Sequence, residues 1–173
     1  MVTNRSRHQP WKVLVAVDGS RGSAAALRFA ADLAACSSAR VVVLTVMTMS
    51  ASKSEELVRA NRVLDAATET LRRAGVLSEQ RAVIIPRSGS IPEAIRRESN
   101  RMRADLVVIG SEGRDTLREW VVGGVALQLL YLSHRPVLVV RPPRRRNVTK
   151  ADVSVYAARQ VIPHSGSRRG GGP

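Results

Sequence analysis

Apolar residues in this chain come in short unbroken runs. The clearest are Lys12–Val17 (KVLVAV), Arg40–Met47 (RVVVLTVM), Arg81–Pro86 (RAVIIP), Asp105–Gly110 (DLVVIG) and Pro136–Arg141 (PVLVVR). A strand with one wet face alternates apolar and polar residues; a strand covered on both faces does not need to. The runs therefore predict a parallel sheet with helices on each side. Between them the period becomes helical. Arg21–Cys36 gathers Ala26, Phe29, Ala30, Leu33 and Ala34 on one face. Glu55–Ala74 repeats Leu57, Leu64 and Leu71, and Gly75 follows as a helix stop. Ile91–Arg101 has Ser90 as a candidate N-cap and Pro92 in its first turn. Gly124–Ser133 carries Val125, Ala126, Leu129, Leu130 and Leu132. Strand and helix alternate throughout, which predicts a three-layer α/β fold with right-handed crossovers. Such sheets bind ligands beyond the carboxyl ends of their strands, near the point where strand order reverses.

Two strand ends carry candidate chemistry. The first run closes on Asp18-Gly19-Ser20. A carboxylate there can accept hydrogen bonds from a ligand; it can equally form a turn or cap the next helix. The fourth run closes on Gly110-Ser111-Glu112-Gly113, and Gly123-Gly124 opens the last helix, giving G-x2-G-x9-G-G. Glycines after a strand let backbone N–H groups approach phosphate oxygens, and a helix N-terminus adds favourable partial charge. The same glycines also suit two ordinary turns.

With these segments in hand, the chain resembles the universal stress protein family from about Trp11 to Arg141. The matching stretches are VLVAVDGS (Val13–Ser20), GSIPEAI (Gly89–Ile95), ADLVVIGSEGR (Ala104–Arg114) and the stretch from Gly123 that ends in RPVLVVR at Arg141. The resemblance implies a Rossmann-like three-layer sandwich with a five-stranded parallel sheet of order 3-2-1-4-5, and usually a homodimer. It also implies ATP or another adenine nucleotide as ligand, with magnesium arriving only with the nucleotide. Adenine and ribose contacts would fall on Ala16, Val17, Asp18, Val46 and Ile109. Phosphate contacts would fall on Gly110, Gly113, Gly123, Gly124 and Val125. Nucleotide-binding relatives carry Ser or Thr where this chain has Gly124, and often again where it has Ala126. Each lost hydroxyl removes a bond worth roughly 0.5–1.5 kcal/mol. Two losses weaken affinity roughly tenfold to a hundredfold. Glu112 would repel a triphosphate, with Arg114 as an offset. Weakened nucleotide binding is the expectation. In the implied order the apolar run Val137–Val140 lies at a sheet edge, which invites antiparallel pairing of two copies.

Charge divides the chain. There are 28 basic and 14 acidic residues, a net +14. Between residues 13 and 140 stand 17 basic and 13 acidic residues, so that the central part carries only +4. The excess lies at the ends, densest at Arg144, Arg145 and Arg146. The organisation expected is a basic arm over 1–10, a domain over 11–141 and a basic, Gly/Arg-rich, disordered tail over 142–173, with Ala151–Gln160 as a candidate short helix. The tail suits an anionic partner or nonspecific nucleic acid. Aromatics make up 3%, poor material for stacking bases.

Cys36 has no partner cysteine and reads as a packed or inert thiol, which fits a reducing compartment. The polar, basic start and the lack of a long apolar run predict a cytoplasmic protein with no membrane span. His8, His134 and His164 have no companions at metal-ligand spacing, and no G-x-S-x-G, H-E-x-x-H or P-loop motif occurs. No catalytic or metal residue is assigned. Slow ATP hydrolysis is the most the resemblance implies for an enzyme. The reading is a stress-response regulator that binds adenine nucleotide. Its alternatives are a protein-interaction module of the same fold without nucleotide, and a nucleic-acid-associated protein acting through its basic ends.

Overall fold

The computed structural model describes residues 10–49, 53–111, 123–143 and 155–157. Its elements are β1 (Lys12–Ala16), α1 (Arg21–Ser37), β2 (Arg40–Thr48), α2 (Lys53–Arg73), β3 (Ser78–Ile85), α3 (Ile91–Arg101), β4 (Leu106–Gly110), α4 (Gly124–Leu132), β5 (Val137–Val140) and β6 (Val155–Ala157). The first five strands are parallel in the order β3-β2-β1-β4-β5, as expected.

The unbroken apolar runs serve two faces. Val13, Val15, Val41, Val43 and Val108 pack under α1 and α2 with Ala26, Ala30, Leu64 and Leu71. Leu14, Leu44, Val107, Ile109 and Val139 pack on the other side with Ile95, Ala126 and Leu129 of α3 and α4. Successive strand residues point to opposite faces, so a strand buried on both must be apolar at every step.

Helix ends follow local signals. Ser20 caps α1, its Oγ accepting from the Ser23 N–H at 3.1 Å. Ser90 caps α3 in the same way through the Glu93 N–H, with Pro92 in the first turn. After α2, Gly75 turns left-handed at φ +71°. There the Val76 N–H reaches the Leu71 carbonyl at 2.9 Å, and the Gly75 N–H reaches that of Arg72 at 3.0 Å. These two bonds are a Schellman stop, and Leu71 and Val76 share the core beneath it.

Three features differ from expectation. β3 begins at Ser78, pairing Val41↔Ser78 onward. Its first half, Ser78-Glu79-Gln80-Arg81, is polar because an edge strand has water along one side. Cys36 is exposed near the end of α1, not packed. Most consequentially, the edge beyond β5 is occupied. β6 lies antiparallel on β5, with Leu138↔Ala157, Val139↔Tyr156 and Val140↔Val155. A strand thus forms where a helix over 151–160 and a disordered tail are expected. Four consecutive buried apolar residues leave a backbone edge in need of partners, and Val155 and Tyr156 are good strand formers. The rest of the tail, with Arg144–Arg146, lies outside the described residues, as do residues 1–9. Among the described residues no helix is long and apolar enough to cross a membrane.

Candidate functional site

Strand order reverses between β1 and β4, so a crevice forms beyond their ends. On the β1 side the chain turns sharply into α1. The Val17 N–H still bonds the Leu44 carbonyl at 2.9 Å, which holds the strand end against β2. Asp18 then accepts the Ser20 N–H on Oδ1 at 2.9 Å. Gly19 takes φ +83°, a conformation that disfavours side chains, and Ser20 caps the helix. Asp-Gly-Ser is therefore a complete strand-to-helix turn, with Asp18 as its first anchor.

On the β4 side Gly110 has a steric task. A Cβ there would stand 2.3 Å from the Gly22 carbonyl carbon and 2.7 Å from the Ser23 nitrogen. The N-terminal turn of α1 rests directly on the end of β4, and glycine at 110 lets it. Ser111 follows. Its N–H bonds the Val140 carbonyl at 2.8 Å, and its carbonyl accepts the Gly123 N–H at 2.6 Å. Ser111 and Gly123 thus meet through their backbones. The Ser111 Oγ is buried, and among the described residues it has no hydrogen-bond partner. Beside it Gly123 is the N-cap residue of α4, and among the described residues no side chain caps that helix. The N–H groups of Gly124, Val125 and Ala126 occupy the first turn, where no carbonyl of their own helix can reach them. A buried, unsatisfied hydroxyl next to an uncapped helix N-terminus is chemistry suited to an anion.

A cleft of about 140 Å³ opens along β2 and α2, lined by Asp18, Thr45, Val46, Met47, Thr48, Glu56, Arg59, Ala60, Val63 and Ile91. β2 runs on to Thr48, past the Ala16↔Leu44 pair where β1 ends, and so walls the crevice on one side. The volume is small beside the ~300–1,000 Å³ of whole ligand pockets.

Of the residues singled out from sequence, Asp18 and Val46 line this cleft. Ala16, Val17 and Ile109 are buried at the strand ends around it, and Ala16 pairs with Ile109. Gly110 packs on α1, Gly123 closes on Ser111, and Gly124 and Val125 form the first turn of α4. Gly113, Glu112 and Arg114 lie outside the described residues. Sequence reasoning missed Ser111, although it sits inside the glycine motif. It also missed Glu56, Arg59, Ala60 and Val63, because helix periodicity marks the core face of α2 and not the flank that borders a crevice. Among the described residues no group of three or more His, Cys, Asp or Glu side chains gathers.

Known proteins share this arrangement. The model of the universal stress protein family matches residues 11–141. Universal stress protein YxiE of Bacillus subtilis (strain 168) is 30% identical over 149 residues, covering 75% of this chain and 98% of its own. A solved universal stress protein from Archaeoglobus fulgidus superposes with TM-score 0.65 at 25% identity, covering 76% of this chain and 98% of its own. A universal stress protein solved in complex with cAMP gives TM-score 0.63 at 25% identity, over 77% of this chain and 98% of its own. Sheet order, the glycine-spaced exit of β4 and these matches agree, and the chain belongs to the universal stress protein family.

Proposed function

We propose that this protein is a cytoplasmic stress-response regulator that binds an adenine nucleotide across the ends of β1 and β4. The base sits toward Asp18 and Val46, and the phosphates sit at α4. The buried Ser111 Oγ, without a partner among the described residues, carries the reading, because a phosphate oxygen at the start of α4 would satisfy it. The relative solved with cAMP supports the ligand class. The phosphate donors begin at Gly124, since the Gly123 N–H is held by Ser111. Ser111 supplies one hydroxyl in a site that lacks those usual at 124 and 126. ATP binds more weakly here than in relatives with both, and magnesium enters with it. The protein acts by changing state with its ligand, not by dedicated catalysis.

Calorimetric titration with AMP, cAMP and magnesium ATP tests this, together with analysis of nucleotide released on denaturation. Ser111→Ala should weaken binding about threefold to tenfold. Gly124→Ser should strengthen it by a similar factor, and a Cβ at 124 meets nothing within 4 Å. Absence of heat with all three ligands at millimolar concentration, and of released nucleotide, rejects the reading in favour of an interaction module without nucleotide. Pairing of two copies through Val137–Val140 is open to this chain only with β6 displaced.

A further inference from the structure

β5 and β6 form a hairpin with an unusual proportion. Three residues of β6 pair with β5, yet residues 141–154 separate the two strands. Hairpin connections usually take 2–5 residues. A long connection costs closure entropy, and three residues of ladder return little for it. β6 is thus a weakly held cover on a strongly apolar edge.

The backbone shows what it covers. The carbonyls of Pro136 and Val140 accept from Val107 and Ser111 on the β4 side. A strand residue directs its N–H and C=O to the same side, and neighbours alternate. Val137 and Val139 therefore point theirs outward, and Val139↔Tyr156 is the pair that exchanges both hydrogen bonds. Without β6 these groups would face water beside Val137–Val140, all four buried. The edge is self-complementary, because an antiparallel pair of identical strands has two-fold symmetry. Next to it, α4 leads into β5 through residues 133–136 and leaves Leu127, Tyr131 and Leu132 exposed, Tyr131 at 80%. An apolar helix face beside a pairing edge fits a second copy of this chain.

We propose that β6 is an internal edge cap that competes with a second copy for β5. With β6 docked the chain is a monomer. With β6 released, two chains pair antiparallel through Val137–Val140 and cover their α4 faces.

Three proteins test this by sedimentation velocity from 1 to 100 µM: the full chain, full-length Tyr156→Pro, and a chain ending at Pro143. Proline at 156 removes the N–H that serves the Val139 carbonyl. The full chain should sediment as a monomer. Tyr156→Pro should dimerise with a dissociation constant at least tenfold lower, and so should the shortened chain. A synthetic peptide of residues 150–160 should return the shortened chain to monomer. Equal dissociation constants for all three proteins overturn the proposal. If the shortened chain does not fold, Tyr156→Pro carries the test, read also by hydrogen exchange at the Val139 amide. That amide should be protected in the monomeric full chain and exchange at least tenfold faster in dilute Tyr156→Pro; equal rates overturn the proposal.

Discussion

A Cβ at position 110 would lie 2.3 Å from the Gly22 carbonyl carbon, closer than any van der Waals contact allows. The obstacle is backbone, so no rotamer change relieves it; α1 must shift off β4. Gly110→Ala is expected to destabilise the fold by about 1–3 kcal/mol or more, measured by urea unfolding, as overpacked cores do. Gly124→Ala should be nearly silent in the same assay, since position 124 is open. Two glycines of one motif thus have different tasks, and sequence reasoning treats them alike. It assigns Gly110 to a ligand because its local context is a strand end. The neighbour that explains it, Gly22, is remote in sequence and lies in Arg-Gly-Ser, which carries no local signal of close approach. Ser111 is illegible for a related reason: whether its hydroxyl is satisfied depends on tertiary surroundings, and the backbone bonds that hold the residue run to Val140 and Gly123, away in sequence.

Among the elements, α2 shows how an end is fixed twice. Backbone geometry stops it at Gly75, and charge reinforces the last turn. Glu69 accepts from Arg72 at 2.7 Å and from Arg73 at 2.7 Å, and both cations also suit the negative end of the helix. Bonds from Arg72 and then Arg73 lower the Glu69 carboxyl from its ordinary 4.5 to about 2. A carboxylate depressed in the folded state stabilises it above its unfolded pKa. That gain fades as pH falls through the folded value. Thermal melts of the native protein and Glu69→Gln should therefore differ by a constant, small margin above pH 4.5. The margin should narrow from pH 4.5 toward 2 and vanish below. Elements of this kind are legible from sequence because cap, period and stop are all local: α3 spans the predicted Ile91–Arg101. The start of β3 is not, because its polar half becomes a strand only by pairing with β2. β6 is still less so, because its three residues become a strand only by pairing with the edge of β5.

On the scale of the molecule, the fold class was readable from unbroken apolar runs, while the β6 cover on β5 was not. The net +14 belongs mainly to the ends, and residues 13–140 carry +4. Any association with nucleic acid should therefore follow the ends. Binding to duplex DNA in 50 mM salt should fall steeply by 200 mM and disappear when residues 144–173 are removed. Binding that persists after the removal would place the contact on the domain instead. The two borders of the sheet differ in the same spirit. β3 closes one side with Glu79 and Arg81 in its outer half, a charged border that resists ladder growth. The other side is apolar beneath its three-residue cover. The two borders therefore do not match, and head-to-tail growth of the sheet is disfavoured at the charged half of β3. If β6 is released as proposed, a two-fold pair through β5 is expected to be a closed assembly rather than the start of a filament.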